Sequence, residues 1–318
     1  MAVIRELGQT VRPTRTPAKL GINARREERV AYLFLLPWLV GLVAFLLIPL
    51  GWAVWISLSD ERLLVQGQFV GLQNYVDIFT KDEYFYKSLS VTFRWVLFTT
   101  PLYLGVGLLL SLLLNQRLPG MNLIRTILYI PAVLSGVAVA VLWLNLLNPD
   151  LGAVNYILYE WFGVEYPPYW FQDPTWAMPG LMLVGLWGVG GMAVIYLAGL
   201  QNIPPHLYEA AAIDGAGPLS KFRHITLPML SPTIFFLVMT GVIEAFQMFG
   251  LAFVLTGGAD GGPENSLLFY MLYMYRKGFT EGYLGYAGAL AWILTVIGLL
   301  VVWILFKLEK RFVFYEVD

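Results

Sequence analysis

Six long apolar runs divide this chain, at residues 30–58, 89–114, 123–147, 178–200, 233–255 and 286–306. A helix of about 20 residues crosses a ~30 Å hydrocarbon layer, so each run has the length of a membrane span. Lipid offers no partner to backbone N–H and C=O groups, which must then be satisfied within a helix or a closed barrel. Barrel strands would alternate apolar and polar residues over ~10-residue segments, and these runs do not. They read as helices, with Pro37, Pro49, Pro101 and Pro131 as kinks. The expected fold is an all-α integral membrane protein with six transmembrane helices. Its parts are a tail at 1–29, a first helix at 30–58, an external loop at 59–88, a five-helix core at 89–307 and a tail at 308–318.

Composition supports a lipid environment and removes several function classes. The chain is 58% apolar and 13% charged, with a mean hydropathy of +0.67, against roughly 45–50% and 25% in soluble domains. A net charge of -1 argues against nucleic acid as a partner. No cysteine is present to form a disulfide or act as a thiolate, and two histidines, His206 and His224, are too few for a histidine-rich metal site.

Lys and Arg set the expected orientation. A cytoplasmic N-terminus puts Arg5, Arg12, Arg15, Lys19, Arg25, Arg26, Arg29, Arg117, Arg125, Lys221, Arg223, Lys307, Lys310 and Arg311 inside. Only Arg62, Lys81, Lys87, Arg276 and Lys277 are then outside, a fourteen-to-five bias. Segment 148–177 carries Asp150, Glu160, Glu165 and Asp173, no Lys or Arg, and the interface-type aromatics Trp161, Tyr166, Tyr169, Trp170 and Trp176, which place it outside. Arg94, near the outer start of the second helix, can snorkel to the headgroups. Both termini are then cytoplasmic. The first run is too long for a secretory h-region and lacks a small-x-small cleavage site, so it reads as an uncleaved helix. Glu27 and Glu28 after Arg25-Arg26 suit a cytoplasmic anchor better than a twin-arginine signal.

Between the fourth and fifth spans lies Tyr208-Glu209-Ala210-Ala211-Ala212-Ile213-Asp214-Gly215-Ala216-Gly217-Pro218, too polar to span. The alanines favour helix, Pro204-Pro205 suits its start, and Asp214-Gly215 suits its end, where glycine takes the left-handed conformation. A second amphipathic piece runs through Phe222 and Ile225 to Leu227-Pro228. The segment reads as a helix–turn–helix on the cytoplasmic face.

The spacing of Glu209-Ala210-Ala211, Gly215 and Ile225-Thr226-Leu227-Pro228 resembles the EAA loop of permease subunits of binding-protein-dependent ATP-binding-cassette importers. The stretches Tyr32-Leu33-Phe34-Leu35-Leu36-Pro37, Gly71-Leu72-Gln73-Asn74-Tyr75, Asn148-Pro149, Gly199-Leu200 and Leu255-Thr256-Gly257-Gly258 are similar to the carbohydrate branch, especially the larger maltose permease subunit. One departure is the 59–88 loop, too short to hold the large external domain of the enteric maltose subunit. The resemblance implies a non-catalytic subunit in a prokaryotic inner membrane that forms a sugar path with a second permease. It implies two ATP-binding subunits, an extracytoplasmic sugar-binding protein and no cofactor. It assigns coupling to Tyr208, Glu209, Ala210, Ala211, Asp214 and Gly215, with Glu209 as the charged contact and Gly215 as the turn.

Candidates for the path come from polar or aromatic residues at mid-span. Glu244 sits midway along 233–255, and an ionisable group there costs on the order of 2.5–3.5 kcal/mol to insert. Thr240 and Gln247 share its helical face, which either lines a wet cavity or meets a partner helix. Gln247, flanked by Phe246 and Met248, resembles a sugar-contacting stretch of the family, and Trp187 aligns with a Trp beside the family's sugar site. Gly185, Gly188, Gly190 and Gly191 read as close helix packing. The Gly-rich stretch from Thr256 to Pro263 lacks the spacing of a phosphate loop, so it reads as an external loop meeting the binding protein and ATP hydrolysis belongs to other subunits. A lipid-modifying membrane enzyme would need clustered His, Asp or Lys, which this sequence does not show, and a secondary transporter would predict inverted repeats.

Overall fold

The structure is a computed structural model, and it describes residues 22–116 and 118–314. Arg5, Arg12, Arg15, Lys19 and Arg117 of the orientation argument, and residues 315–318 of the C-terminal tail, lie outside the described residues. The helices are α1 (Ile22–Leu42), α2 (Ile48–Ser57), α3 (Gln73–Lys81), α4 (Glu83–Leu114), α5 (Met121–Val133), α6 (Gly136–Leu146), α7 (Ala153–Phe162) and α8 (Pro174–Trp187). They continue as α9 (Gly190–Gln201), α10 (Pro205–Ile213), α11 (Pro218–Lys221), α12 (Leu227–Phe246), α13 (Gly250–Leu255), α14 (Tyr270–Tyr275) and α15 (Leu284–Phe312). No strand occurs among the described residues.

Four helical runs, Arg29–Ser57, Glu83–Leu114, Pro218–Phe246 and Leu284–Arg311, are long and apolar enough to cross a membrane. Two bent pairs, α5 with α6 and α8 with α9, bring the number to six. The chain divides into two compact units at Ala53 and Val54. In the first, a π turn at Val43–Leu47 joins α1 to α2, and Phe34 and Phe45 are among its exposed side chains.

In the second unit α4 is the central post, packed against α9, α12, α14 and α8. The main core gathers Val91 and Trp95 from α4, Leu181 and Val184 from α8, Ala245 from α12 and Phe269. At 1.5 Å per residue the 32 residues of α4 span about 48 Å. They separate two ends of the molecule.

At the first end, Asp82 caps α4 by accepting from Phe85 N–H at 3.1 Å, and it also accepts from the hydroxyls of Tyr273 and Tyr286. Leu63 N–H reaches Gly282 O at 2.9 Å, and the Arg62 guanidinium lies 4.9 Å over the Tyr283 ring. At the other end Arg125 donates to the Leu114 carbonyl at 2.7 Å, a cation at a helix C-terminus where free carbonyls collect.

Two features depart from six straight spans. The third and fourth spans bend by 100° and 48°, and the fifth ends at Phe246, with Phe249 at φ -143° and ψ -67° before α13 resumes. The segment between the fifth and sixth spans is also more than a loop: Leu267, Leu268, Phe269, Tyr270, Leu272 and Tyr273 are fully buried. Tyr270 N–H donates to Thr92 Oγ1 at 2.9 Å, and its hydroxyl donates to Leu290 O at 2.8 Å, pinning α14 between α4 and α15. The second span starts at Glu83, six residues earlier than its apolar run, because Asp82 caps it there. Segment 59–88 contains the short amphipathic helix α3.

Candidate functional site

At the end away from Asp82, α10 projects between the fourth and fifth spans. Pro205 opens it, and its C-terminus closes with Gly215 N–H to Ala212 O at 3.1 Å and Ala216 N–H to Ala211 O at 2.8 Å. Gly215 has φ +78°, the left-handed conformation expected of it. Pro218 then starts a helical run that passes a π turn at Phe222–Thr226 and continues to Phe246 without a break. The second amphipathic piece is therefore the first part of the fifth span itself.

The motif residues separate by burial. Glu209, Ala210, Asp214 and Gly215 are exposed and Ala211 is half-buried. Tyr208 turns inward, with its hydroxyl 3.0 Å from Thr226 Oγ1 and its ring packed with Ile203, Leu230 and Ile225. It is a strut rather than part of the exposed face, because its position on α10 points it back at the fifth span. Residues that sequence reasoning missed stand out on the exposed face. Ile213, one turn along α10 from the acidic Glu209, is 88% exposed, and Leu219 on α11 is 78% exposed. The signal for Ile213 was available in its place next to Asp214-Gly215 at the helix tip.

The mid-span candidates also divide. Glu244 and Gln247 are exposed on the unpacked face of α12, with Thr240 half-buried on the same stripe and its hydroxyl donating to Phe236 O at 3.0 Å. Gln247 is the first residue of the break between α12 and α13. Irregular backbone at membrane depth is tolerated where it is buried in protein or lines a cavity. Phe246 does not join this stripe: it is buried, edge-on to Phe93 at 5.3 Å, because one residue along the helix turns it by about 100° into α4.

Trp187 ends α8 at the bend into α9 and is half-buried in the main core cluster. It lies edge-on to Trp143 at 6.1 Å. Trp143 Nε1 is one of three buried side-chain polar atoms without a hydrogen-bond partner among the described residues. This indole donor lies beside Trp187, and a buried donor without a partner costs about 1–3 kcal/mol. Composition alone treats such tryptophans as interface anchors, so this donor was not legible beforehand. The glycines around the bend pack closely, and a Cβ on Gly190 would lie 1.8 Å from the Leu128 carbonyl oxygen. No cluster of three or more His, Cys, Asp or Glu able to hold a metal occurs among the described residues.

Residues 104–313 match the family described as binding-protein-dependent transport system inner membrane component. YesP of Bacillus subtilis (strain 168), named as a probable ABC transporter permease protein, is 38% identical over 295 residues, 92% of this chain and 94% of YesP. MalF of Thermococcus litoralis, a trehalose/maltose transport system permease protein, is 35% identical over 256 residues, covering 80% of this chain and 85% of MalF. Among solved structures, a chain of a bacterial alginate ABC transporter in complex with an alginate pentasaccharide-bound periplasmic protein superposes with a TM-score of 0.79. It is 25% identical, over 91% of this chain and 96% of that one.

Proposed function

The chain belongs to the family of binding-protein-dependent transport system inner membrane components and is a multi-pass permease subunit of an ABC importer; we propose that it carries an uncharged di- or oligosaccharide. The relatives named for trehalose/maltose and alginate support a saccharide as cargo. The unpacked stripe of α12 carries one ionisable residue, the acidic Glu244, and where it lines the path its carboxylate would repel a phosphate or uronate and favour a neutral sugar. Gln247 supplies amide contacts to hydroxyls, while Trp187 offers an aromatic face. Glu244 and Thr240 line the path, or face the second permease.

In this reading α10 lies in the cytoplasm and docks on an ATP-binding subunit through Glu209, Ala210, Ala211, Asp214, Gly215 and the exposed Ile213. The one observation that carries it is the exposure of this apolar and acidic tip on a helix whose root is locked by Tyr208 to Thr226. A short rigid helix transmits a partner's closure to the spans better than a flexible loop does. Two ATP-binding subunits and a second permease complete the transporter, and the bias in Lys and Arg supports a cytoplasmic position for both termini.

The opposite end meets the sugar-binding protein. It presents a pocket of about 560 Å³ with Asp77, Lys81, Glu83, Lys277 and Glu281 on its lining. Charges of both signs there suit a transient polar contact, and Asp77 is held below the usual carboxylate range by its hydrogen bond to Lys81, 2.6 Å away. The test is purification in mild detergent followed by reconstitution. Co-isolation of a second permease and an ATPase, with ATP-dependent uptake of a neutral oligosaccharide, is expected; isolation of the chain alone contradicts the reading.

A further inference from the structure

A second cavity, of about 660 Å³, opens between α4, α8 and the turn before α14, at the end of the molecule that carries Asp82. Its chemistry is layered. On α4, Lys87 and Arg94 lie seven residues apart, two helical turns on one face, and Phe98 and Leu102 continue the same stripe downward. On α8, which starts at the same end and runs alongside, Thr175 is uppermost and Met178 and Met182 follow. Both helices thus pass from polar to apolar in the same direction. From Arg94 to Leu102 the stripe descends about 12 Å, close to the ~15 Å depth of one lipid leaflet's hydrocarbon.

The polar upper part carries two exposed cations and one buried hydroxyl. Among the described residues neither Lys87 nor Arg94 forms an ion pair, and the one side-chain bond of Arg94 is a 3.4 Å contact to the Ser90 carbonyl of its own helix. Ser266 Oγ, on the pocket wall, is buried without a hydrogen-bond partner. That wall is held by Glu264 and Asn265, both non-glycine residues at positive φ, 51° and 55°. Consecutive residues in this uncommon conformation occur where surrounding structure fixes them, often at ligand clamps. Two cations against one lining carboxylate, Glu264, leave a net positive site above an apolar groove. Trp187 is five residues beyond Met182 on α8, about 140° round the helix, so this groove is separate from the proposed sugar path.

We propose that this cavity is a binding site for one anionic phospholipid, its phosphodiester held by Lys87, Arg94 and Ser266 and one acyl chain lying along Phe98, Leu102 and Met182. The charge order along both stripes is that of the lipid, headgroup over chain, and a zwitterionic lipid would bring its own headgroup cation against the two side-chain cations. The assignment depends on the chain spanning a membrane and not on which sugar it carries.

The test uses the assembled transporter, co-expressed with its partner subunits and reconstituted into phosphatidylcholine nanodiscs holding a graded minor share of phosphatidylglycerol. Retained lipid is counted by native mass spectrometry. The wild-type complex should retain phosphatidylglycerol in preference to phosphatidylcholine. Each cation near a membrane surface is worth about 5-fold in affinity, so Lys87→Gln with Arg94→Gln should weaken phosphatidylglycerol retention about 30-fold with phosphatidylcholine unchanged. Ser266→Ala, which removes one hydroxyl and no charge, should weaken it about 3-fold and keeps the test decisive if the double variant does not assemble. Equal retention of the two lipids by wild type, or unchanged phosphatidylglycerol retention in Ser266→Ala, overturns the proposal. So does displacement of the lipid by inorganic phosphate or a soluble acidic oligosaccharide, which would assign the site to a soluble anion.

Discussion

Replacing Gly215 by valine isolates the turn that holds the docking helix. The native φ is +78°, and a Cβ built there meets nothing within 4 Å, so the cost of the substitution is conformational and not steric crowding. A left-handed backbone costs an L-residue roughly 1–2 kcal/mol, with β-branched residues at the upper end. The chain can relieve that cost only by releasing the Ala216 to Ala211 and Gly215 to Ala212 hydrogen bonds that end α10, which swings its tip. The root should stay in place, because Ile203 and Leu230 are buried beneath it. A penalty of 1–2 kcal/mol on the docked geometry lowers its population about 5- to 30-fold. Substrate-stimulated ATPase of the reconstituted complex should fall by that factor, with subunit composition unchanged. Gly215→Asn, which tolerates the left-handed region, should keep most of the activity. Wild-type stimulation in Gly215→Val, or equal damage from Asn and Val, would refute the reasoning.

Tyr208→Phe removes the hydroxyl that meets Thr226 and should lower stimulated ATPase about 2- to 10-fold with assembly intact, for a bond worth about 0.5–1.5 kcal/mol; unchanged coupling would make the strut dispensable. Ile213→Asp replaces an exposed apolar tip and should weaken retention of the ATPase subunit about 10- to 100-fold in a titrated pull-down, for the ~1.5–3 kcal/mol of burying such a side chain; equal retention would place the partner elsewhere. Gln247→Ala should raise the sugar concentration for half-maximal transport about 2- to 10-fold, while assembly loss in Glu244→Ala would assign that residue to the second permease. Gly190→Val puts side-chain atoms where the Leu128 carbonyl stands, so the purified complex should melt at a lower temperature for an overpacking cost of about 1–3 kcal/mol; an unchanged midpoint would contradict the close α5 to α9 approach.

What could be read from residues alone was what depends on local chemistry. Long apolar runs report lipid whatever the tertiary arrangement, and Pro205, the alanines and Gly215 specify α10 by backbone preference, as found. The breaks were less visible. Pro131 with Ser135-Gly136, and the glycines near Trp187, permit bends of 100° and 48° but do not require them. The break at Gln247 to Phe249 has no proline, and Met248 and Phe249 within it pack against the main core. The buried segment around α14 carries nine apolar residues, Leu267 to Tyr275, too short to span and followed by Arg276 and Lys277, so a window sized for a membrane span passes over it. It is packed into two apolar clusters and tied at Tyr270 by long-range bonds to Thr92 and Leu290. Phe246 and Tyr208 illustrate the same limit. Each sits beside functional candidates in sequence, and one helical step turned it into the core.

Transmission of ATPase closure to the spans by α10 can be followed by cross-linking, because the chain has no native cysteine. Ala212→Cys is placed on the exposed tip in the otherwise unmodified chain, and the complex is assembled with an ATPase subunit carrying single cysteines around its permease-facing surface. A disulfide is expected between Ala212→Cys and that subunit, with a yield that changes between the nucleotide-free and ATP-bound states, and no labelling of Ala212→Cys by an impermeant thiol reagent added outside intact cells. Labelling from outside, or a complex that hydrolyses ATP on sugar addition with no such cross-link in any nucleotide state, would contradict it.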